Sequence, residues 1–326
     1  MKKITLLDTS IGSTNKGDDI IMKCLEEEMS FLFQDYFLLR VPTHLCAFNI
    51  LECLGNLPDS ANEVYQSDYK FVCGTNLLST NMFNRTNQWD INLFNVKPIT
   101  GSILIAAGGS GNKPTRYTQK LYKKILSPSF VHSVRDQNGY KIVSSLGYKC
   151  INTGCVTMWK LTPEFCGRIP TQKANQVVFT LTDYNKNPQS DKALIDCLKR
   201  NYNRVYFWIQ GIHDFEYLCS LTDSKDLCVI APDVEEYSKV LRSGGIDYVG
   251  TRLHAGIYAM RHAVRSIIIT IDERMGAMSG SIPNNTIERN KLVSLDEMIH
   301  SNIYTVCSLD WDGINSWKQQ FVSIMK

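Results

Sequence analysis

The sequence predicts an α/β protein in which parallel strands alternate with helices that cover both faces of each sheet. Apolar runs such as 177–179 and 267–269 contain only Val, Ile and Phe. Continuous runs of this kind are typical of parallel strands buried on both faces, because half-exposed strands alternate polar and apolar residues. Helical patterns separate the runs along almost the whole chain, which indicates βαβ units with right-handed crossovers.

The chain length predicts two domains. Its 326 residues exceed the size of about 250–300 residues at which a single core usually stops growing. The break between the two arrays of strands lies in the stretch 161–173, which carries Pro163 and Pro170. We therefore expect two Rossmann-like domains, residues 1–165 and 166–326, that face each other across a cleft.

The elements follow from the apolar patterns taken in order. In the first domain we predict strands at 4–10, 37–41, 69–74, 103–107, 130–135 and 149–153, and helices at 18–33, 46–54, 115–126 and 137–146. In the second domain we predict strands at 177–182, 204–209, 227–230, 248–250 and 266–270, and helices at 191–201, 214–221, 234–242, 253–262 and 310–325. We expect the last helix to pack back across the joint.

Composition excludes several classes of protein. The net charge of +3 is too small to indicate a nucleic-acid partner, and no apolar run approaches the ~20 residues that span a bilayer. Residues 1–8 indicate a first strand rather than a signal peptide, because Asp8 interrupts a short apolar stretch. Eleven scattered cysteines without a CxxC pair indicate free thiols in a reducing compartment. We expect a cytoplasmic protein without a metal site.

Loops that follow strands are the candidate sites, because ligands of open α/β sheets bind beyond the carboxyl ends of the strands. The first such loop is 12–19. Gly12 and Gly17 permit close backbone approach, and Asp18 is either a helix cap or a base that faces the substrate. The spacing matches neither a dinucleotide fingerprint nor a P-loop.

Other loops add polar groups. Asn76 follows the third strand, and the glycine-rich stretch 107–112 forms either an anion-binding nest or a sharp turn. Asp136 is placed to cap the next helix, which leaves Arg135 directed at the cleft. Gln210 is a polar candidate after the second strand of the second domain.

The most informative motif is Gly250-Thr251-Arg252-Leu253-His254, where an apolar strand turns into a helix. A helix start favours negative charge, Arg252 offers a two-pronged guanidinium, and His254 carries a proton near neutral pH. An ion-paired arginine and a structural histidine are the alternative interpretation.

Four short motifs share this placement after strands: Asn15-Lys16-Gly17-Asp18, Gly74-Thr75-Asn76-Leu77, Val134-Arg135-Asp136 and Arg252-Leu253-His254. In order and spacing they resemble the motifs of the polysaccharide pyruvyl transferase family, and the resemblance covers about residues 7–274. It departs at Cys155-Val156, where family members often carry Asp-Pro, and at 271–274, where many carry Tyr-Asp-x-Lys and this chain ends on Arg274.

The resemblance implies a glycosyltransferase-B-like fold and an enzyme without a metal or other cofactor. It implies transfer of the pyruvyl group of phosphoenolpyruvate, the donor substrate, onto two hydroxyls of one sugar. The product is a cyclic ketal on a cell-surface, capsular or exopolysaccharide. The acceptor is expected to be a lipid-linked or oligosaccharide repeat-unit intermediate, bound on the N-terminal side, with the donor on the C-terminal side. Peripheral association with the inner face of a membrane fits such an acceptor.

The same resemblance suggests roles for individual residues. Arg135 and Arg252 are expected to bind the anionic groups of the donor, and Arg274 is a possible additional cation. His254 is the candidate proton donor, and Leu253 fixes its direction. Asp18 is the candidate base toward a sugar hydroxyl. Further substrate contacts are expected from Asn15, Gly17, Asn76 and Gln210.

Two other functions stay open at this stage. A nucleotide-sugar glycosyltransferase of the same fold would need a carboxylate for the ribose, for which Glu235 or Glu236 is available. A non-catalytic subunit of a polysaccharide assembly system would tolerate the departures at Cys155 and Arg274. A serine hydrolase is disfavoured because no GxSxG motif occurs.

Overall fold

The computed structural model describes residues 1–83, 88–111, 113–272, 275 and 280–322. The chain forms two compact units. The first unit comprises Met1–Ser13, Ile21–Trp159 and Leu309–Lys326, and the second comprises Thr14–Ile20 and Lys160–Ser308. The predicted α/β class, with a parallel sheet in each half, is confirmed.

The first unit contains eight strands and six helices up to residue 159 of its described part. The strands are β1 (Lys3–Asp8), β2 (Phe37–Pro42), β3 (Tyr69–Cys73), β4 (Leu78–Ser79), β5 (Ile103–Ile105), β6 (Gly109–Ser110), β7 (His132–Val134) and β8 (Cys150–Asn152). The helices are α1 (Lys16–Glu28), which begins in the second unit, α2 (Ser30–Phe33), α3 (Ile50–Leu54), α4 (Asp59–Tyr65), α5 (Arg116–Ile125) and α6 (Gln137–Ser145).

The main sheet of the first unit has the order β2-β1-β3-β5, and all its pairs are parallel. A parallel bridge between Ala107 and Val134 continues it toward the pair β7-β8. Leu6 and Leu7, neighbours on β1, belong to different buried clusters. Successive side chains of a strand point to opposite faces, so the sheet is covered on both sides, as its continuous apolar strands predict.

The second unit contains β9 (Gln176–Thr180), β10 (Arg204–Trp208), β11 (Cys228–Ile230), β12 (Ile246–Gly250), β13 (Ser266–Thr270) and β14 (Thr286–Glu288). Its helices are α7 (Pro163–Cys166), α8 (Pro188–Asn201), α9 (Asp214–Leu221), α10 (Val234–Arg242), α11 (Leu253–Arg261) and α12 (Leu295–His300). Short 3-10 turns lie at Lys97–Ile99 and Val156–Met158 in the first unit, and at Asp183–Asn185, Ser224–Asp226, Pro283–Asn285 and Arg289–Ser294 in the second.

The sheet of the second unit has the order β11-β10-β9-β12-β13-β14, with every pair parallel. The chain moves outward from β9 through β10 to β11, and then returns to the other side of β9 at β12. This is the order of a doubly wound Rossmann sheet, whose direction reverses between its first and fourth strands. The reversal therefore lies between β9 and β12.

A last helix, α13 (Trp311–Val322), belongs to the first unit. Phe321 packs its ring edge-on against Phe71 at 5.3 Å, and Trp317 Nε1 donates to the carbonyl of Val131 at 2.7 Å. The chain thus passes to the second unit after Trp159 and returns to the first unit before Leu309. The sequence predicted a single division, between residues 165 and 166. Burial of these aromatic side chains accounts for the return.

The predicted elements are largely present, and α9 and α10 have the predicted bounds. The predicted helix at 46–54 begins only at Ile50, because Asn49 accepts a hydrogen bond from the backbone N–H of Leu51 and caps it. The elements that were missed include the helices α4, α7 and α12 and the short strands β4, β6 and β14. Strand β14 has only one apolar residue, Ile287, and so gives no pattern. All eleven cysteines are free thiols, as predicted.

Candidate active site at the strand ends

The two loops that leave β9 and β12 are fastened together where the sheet reverses direction. Thr251 N–H donates to the carbonyl of Thr180 at 3.1 Å, and the hydroxyls of Thr182 and Thr251 lie 2.8 Å apart. Gly250 permits this approach, because a Cβ there would lie 2.7 Å from the backbone nitrogen of Thr180. Ligands of doubly wound sheets bind at this point, so the motif that begins at Gly250 stands at the expected place.

Arg252 is buried in this position and is bound by two carboxylates. Its Nη2 donates to Asp183 Oδ1 at 2.8 Å and to Asp214 Oδ1, and its Nε lies 3.2 Å from Asp214 Oδ2. Nε also donates to the carbonyl of Leu181 at 3.0 Å, and the ring of Tyr184 lies 5.2 Å from the guanidinium carbon. Within the described part of the chain, no hydrogen bond engages Nη1.

These carboxylates decide the electrostatics of Arg252. Burial alone would lower the pKa of Arg252, but Asp214, Tyr184 and Asp183 together outweigh burial and raise that pKa. The guanidinium is therefore charged, and two carboxylates against one cation leave the cluster without net positive charge. Arg252 joins the loops after β9 and β12 to the start of α9. These contacts are those of the ion-paired arginine that the sequence offered as the alternative interpretation.

Positive potential at this place comes from helix α11. The helix is nine residues long, and its N-cap residue is Arg252, whose side chain makes no capping hydrogen bond. The first turn of such a helix carries unpaired N–H groups and a partial positive charge that bind anions. Leu253 is buried and His254 is half-buried in this turn. The structure thus places the predicted imidazole in the first turn of a helix, a position that favours negative charge.

The predicted residues Asn15, Gly17 and Gln210 lie together in the second unit. Gln210 Nε2 donates to Asn15 Oδ1 at 2.8 Å, and the N–H of Lys16 donates to the carbonyl of Gln210 at 2.8 Å. Gly17 N–H donates to the same Asn15 Oδ1 at 3.0 Å. The segment that leaves β1 is therefore anchored to the strand end of β10.

Asp18 and Gln210 are buried members of this group. Asp18 lies in the first turn of α1, where its N–H donates to the carbonyl of Asn15 at 3.0 Å. Gln210 is 2% exposed, and its Oε1 has no hydrogen-bond partner in the described part of the chain. A buried acceptor without a partner costs free energy, so Gln210 Oε1 is suited to accept a hydrogen bond from a ligand hydroxyl.

Gly211 links the Gln210 group to the Arg252 cluster. Its N–H donates to Asp214 Oδ2 at 2.7 Å, and a Cβ at this position would overlap the guanidinium of Arg252. The strand ends of β10, β9 and β12, which are neighbours in the sheet, therefore form one continuous polar site in the second unit.

Arg135 forms a separate polar site in the first unit. It follows β7, is 8% exposed, and donates from Nη2 to Asn76 Oδ1 after β3. Asp136 caps α6, as predicted, by accepting from the N–H of Gly139 at 2.7 Å. A Cβ at Gly108, after β5, would lie 2.8 Å from Asp136 Oδ2 and still closer to Arg135 Nε. Three loops thus converge on the guanidinium.

Arg135 differs from Arg252 in its hydrogen bonding. Among the residues that the structure describes, its buried Nε and Nη1 have no hydrogen-bond partner, although Asp136 Oδ2 lies 3.8 Å from Nε. The backbone beside this site is strained: Thr75 has φ 44° and Ala106 has φ 49°, values that residues with a Cβ rarely adopt. Such strain clusters at functional sites, so the place where Asn76 and Arg135 meet is a second candidate site.

Two residues that bind Arg252 were not predicted as members of the candidate site. Asp183 was not named, and Asp214 was predicted only as a possible helix-start residue, yet both hold Arg252. The signal for Asp183 was its position just after a strand. Arg274 lies outside the described residues. Within those residues, no group of three or more His, Cys, Asp or Glu is placed to hold a metal ion.

Comparison with known proteins identifies the family. The sequence model of the polysaccharide pyruvyl transferase family matches residues 15–273. The chain belongs to this family. The match includes every predicted site residue except Arg274, which lies one position beyond it.

Two further comparisons add little to the family assignment. Among solved structures, the chain is similar to the UDP-GlcNAc 2-epimerase of Methanocaldococcus jannaschii, crystallised with UDP-GlcNAc and UDP. The sequences are 12% identical, 100% of this chain and 99% of the other are covered, and the TM-score is 0.45. No curated protein matches the sequence.

Proposed function

We propose that this protein transfers the pyruvyl group of phosphoenolpyruvate onto two hydroxyls of one sugar and forms a cyclic ketal. Membership of the family supports pyruvyl transfer in polysaccharide biosynthesis. The observation that carries the choice of donor is the start of α11, where His254 joins a helix N-terminus without a side-chain cap. This arrangement suits the phosphate of phosphoenolpyruvate.

The reaction needs a proton donor, a base and contacts to two anionic groups. The methylene carbon of the donor takes a proton, and the adjacent carbon, which gains oxocarbenium character, is attacked by the first sugar hydroxyl. The bond to phosphate breaks and the second hydroxyl closes the ring. Overall, the two sugar hydroxyls lose one proton each. One of these protons accounts for the proton that the methylene carbon gains, and the other leaves with inorganic phosphate.

We assign these tasks to the residues of the second unit as follows. His254 donates the proton, to the methylene carbon or to the leaving phosphate. Asp18 accepts a proton from a sugar hydroxyl. Arg252, held in one orientation by Asp183 and Asp214, offers Nη1 to the donor. Gln210 accepts a hydrogen bond from a hydroxyl through its unpaired Oε1.

Arg135 in the first unit is proposed to bind an anionic group of the donor, because its unpaired Nε and Nη1 match a carboxylate or phosphate. Asn76 orients the guanidinium through its hydrogen bond to Nη2. Arg274 remains a proposed additional cation. We propose that no metal or other cofactor takes part, and that the acceptor is a lipid-linked or oligosaccharide intermediate of a capsular or exopolysaccharide.

A calorimetric titration with phosphoenolpyruvate tests the proposal. The wild-type protein is expected to bind the donor, and His254→Gln and Arg252→Lys are each expected to bind at least about tenfold more weakly, a loss of about 1.4 kcal/mol. His300→Gln and Arg204→Lys are matched controls, since His300 is exposed on α12 and Arg204 is exposed on β10. Both controls should bind as the wild type does.

The same titration separates the alternatives. Binding of a nucleotide sugar without binding of phosphoenolpyruvate would contradict the proposal and favour a glycosyltransferase. Glu235 and Glu236, the carboxylates available for a ribose, instead form ion pairs with Arg242 and Lys239 on the surface of α10. A protein that binds neither ligand, with or without sugar acceptors, would be a non-catalytic subunit.

A further inference from the structure

Helix α5 in the first unit has a solvent-exposed face composed of cations. Arg116, Lys120, Lys123 and Lys124 are all exposed, and their spacing places them on one side of a helix with about 3.6 residues per turn. The opposite side packs into the core through Thr118, Leu121, Tyr122 and Ile125.

Only part of this charge is favourable within the helix: Lys123 and Lys124 lie in its last turn, where the helix dipole favours cations. Like charges three and four residues apart repel each other, and Arg116 lies in the first turn, where the helix dipole disfavours a cation. The sequence from Lys113 to Arg135 contains no Asp or Glu, although the whole chain has a net charge of only +3. The buried side maintains the helix, and the exposed side is suited to an external anionic partner.

Exposed phenylalanines lie along one flank of the same helix. The ring of Phe83 contacts Tyr117 edge-on at 5.4 Å, and Lys124 Nζ donates to the carbonyl of Leu93 at 2.8 Å, next to Phe94. Tyr117 and Lys124 are seven residues apart, about two turns, so they lie on the same flank. Phe83 is 74% exposed and Phe94 is 56% exposed.

We infer that these six residues, the α5 face, dock the protein onto an anionic lipid bilayer. The α5 face consists of Phe83, Phe94, Arg116, Lys120, Lys123 and Lys124. Lysines near an anionic bilayer are attracted without a specific geometry, and exposed aromatic side chains insert at the boundary between headgroups and acyl chains. The combination of cations with exposed phenylalanines favours a bilayer over a single-stranded polyanion. A polyanion of that kind binds in a positively charged groove of the protein that follows the polymer backbone.

Peripheral docking is the mode that fits the chain. No helix in the described ranges is long and apolar enough to span a membrane. None of the residues of the α5 face belongs to either candidate site, so docking does not rest on the proposed reaction. It specifies the surface by which a pyruvyl transferase would reach a lipid-linked acceptor.

Vesicle co-sedimentation of the full-length protein tests the inference. We expect binding to phosphatidylcholine vesicles with about one third phosphatidylglycerol, and no binding to pure phosphatidylcholine. The triple variant Lys120→Gln, Lys123→Gln, Lys124→Gln should bind the anionic vesicles at least about tenfold more weakly. The double variant Phe83→Ser, Phe94→Ser should lose the binding that persists at about 0.5 M salt, where charge attraction is screened.

A control variant removes the same charge elsewhere. Lys192, Arg200 and Lys225 are exposed in the second unit, and their triple change to Gln should leave binding within about twofold of the wild type. Circular dichroism should show that all variants are folded, because the changed side chains are exposed. An equal loss of vesicle binding in both triple variants would overturn the inference. Failure of the wild-type protein to bind anionic vesicles would also overturn it. Preference for a soluble anionic polysaccharide over vesicles would also overturn it.

Discussion

Asp214 holds the guanidinium of Arg252 with both carboxylate oxygens at the point where the second sheet reverses direction. The same carboxylate accepts the N–H groups of Gly211, at 2.7 Å, and Asp183, at 3.2 Å. Asp214 is fully buried at the start of α9. One side chain therefore connects the loops after β9, β10 and β12.

The first prediction concerns Asp214→Asn. The change keeps the shape of the side chain but removes the charge opposite a buried guanidinium, which is expected to cost about 3 kcal/mol of unfolding free energy. For a unit of this size the melting temperature should fall by about 6 °C. Thermal unfolding followed by circular dichroism measures the change.

Asp223→Asn is the matched control, because Asp223 is exposed, forms an ion pair with exposed Lys225 and accepts a hydrogen bond from the N–H of Lys225 that an amide oxygen can also accept. It should shift the unfolding free energy by less than about 0.5 kcal/mol. If Asp214→Asn and Asp223→Asn both have the melting temperature of the wild type, Asp214 does not hold the loops as described.

The second prediction concerns Arg135→Met, which is expected to weaken donor binding while leaving the stability of the fold intact. Arg135 is buried with two nitrogens that lack hydrogen-bond partners, so an apolar side chain of similar length should leave thermal stability unchanged or slightly higher. Donor affinity or kcat/KM should fall about tenfold to a hundredfold, because the anion loses its charged contact. Parallel melting curves and phosphoenolpyruvate titrations measure both effects.

Arg168→Met serves as the control, because Arg168 is exposed and both quantities should stay at wild-type values. A variant Arg135→Met that melts early but binds the donor normally would show that Arg135 is structural.

The sequence predicted local features better than pairings across the chain. The helix cap at Asp136 and the bounds of α9 and α10 follow from neighbouring residues, so the sequence pattern reveals them. The sheet order depends on pairs such as Val178 with Tyr248, and no local pattern specifies which strand lies beside β9. The reversal point, and thus the place of Arg252, required the structure.

The same limit applies to the candidate site. Asn15 and Gln210 were each predicted as contacts because both follow strands, but their hydrogen bond joins residues 195 positions apart. Asp214 and Asp183 lie 38 and 69 positions before Arg252. The sequence predicted Arg252 as an anion ligand, with an ion-paired arginine as the alternative, and could not name the carboxylates that bind it.

The third prediction is a pH dependence of stability caused by His132. This side chain is fully buried, its Nδ1 lies 3.2 Å from the N–H of Leu104, and its Nε2 lies 3.0 Å from the carbonyl of Ser127. Nδ1 must accept and Nε2 must donate, so only the neutral ring satisfies both contacts. Burial lowers the pKa of His132 from 6.5 to about 4.

Because the folded-state pKa lies below the unfolded value, the unfolded chain binds more protons between the two. The contribution of His132 to the free energy of unfolding is fully present above about pH 6.5 and is lost as the pH falls to about 4. The free energy of unfolding changes by about 3 kcal/mol over this range. Urea unfolding at several pH values should show a shallower pH dependence in His132→Gln than in the wild type. His300→Gln, an exposed site, should keep the wild-type dependence, and identical slopes in all three proteins would refute the assignment.

The fourth prediction uses Gly211→Ala to displace Arg252 without changing any charge. A methyl group at Gly211 would overlap the guanidinium of Arg252 and lie 3.0 Å from Asp214 Oδ1. Overpacking of this kind costs about 1–3 kcal/mol, and the guanidinium must move away from Asp214 to relieve it. We expect lower thermal stability together with weaker donor binding.

Gly167→Ala is the matched control, because the nearest atom to its added methyl would be 3.6 Å away. A stable Gly211→Ala protein with normal donor affinity would mean that the position of Arg252 does not govern the site.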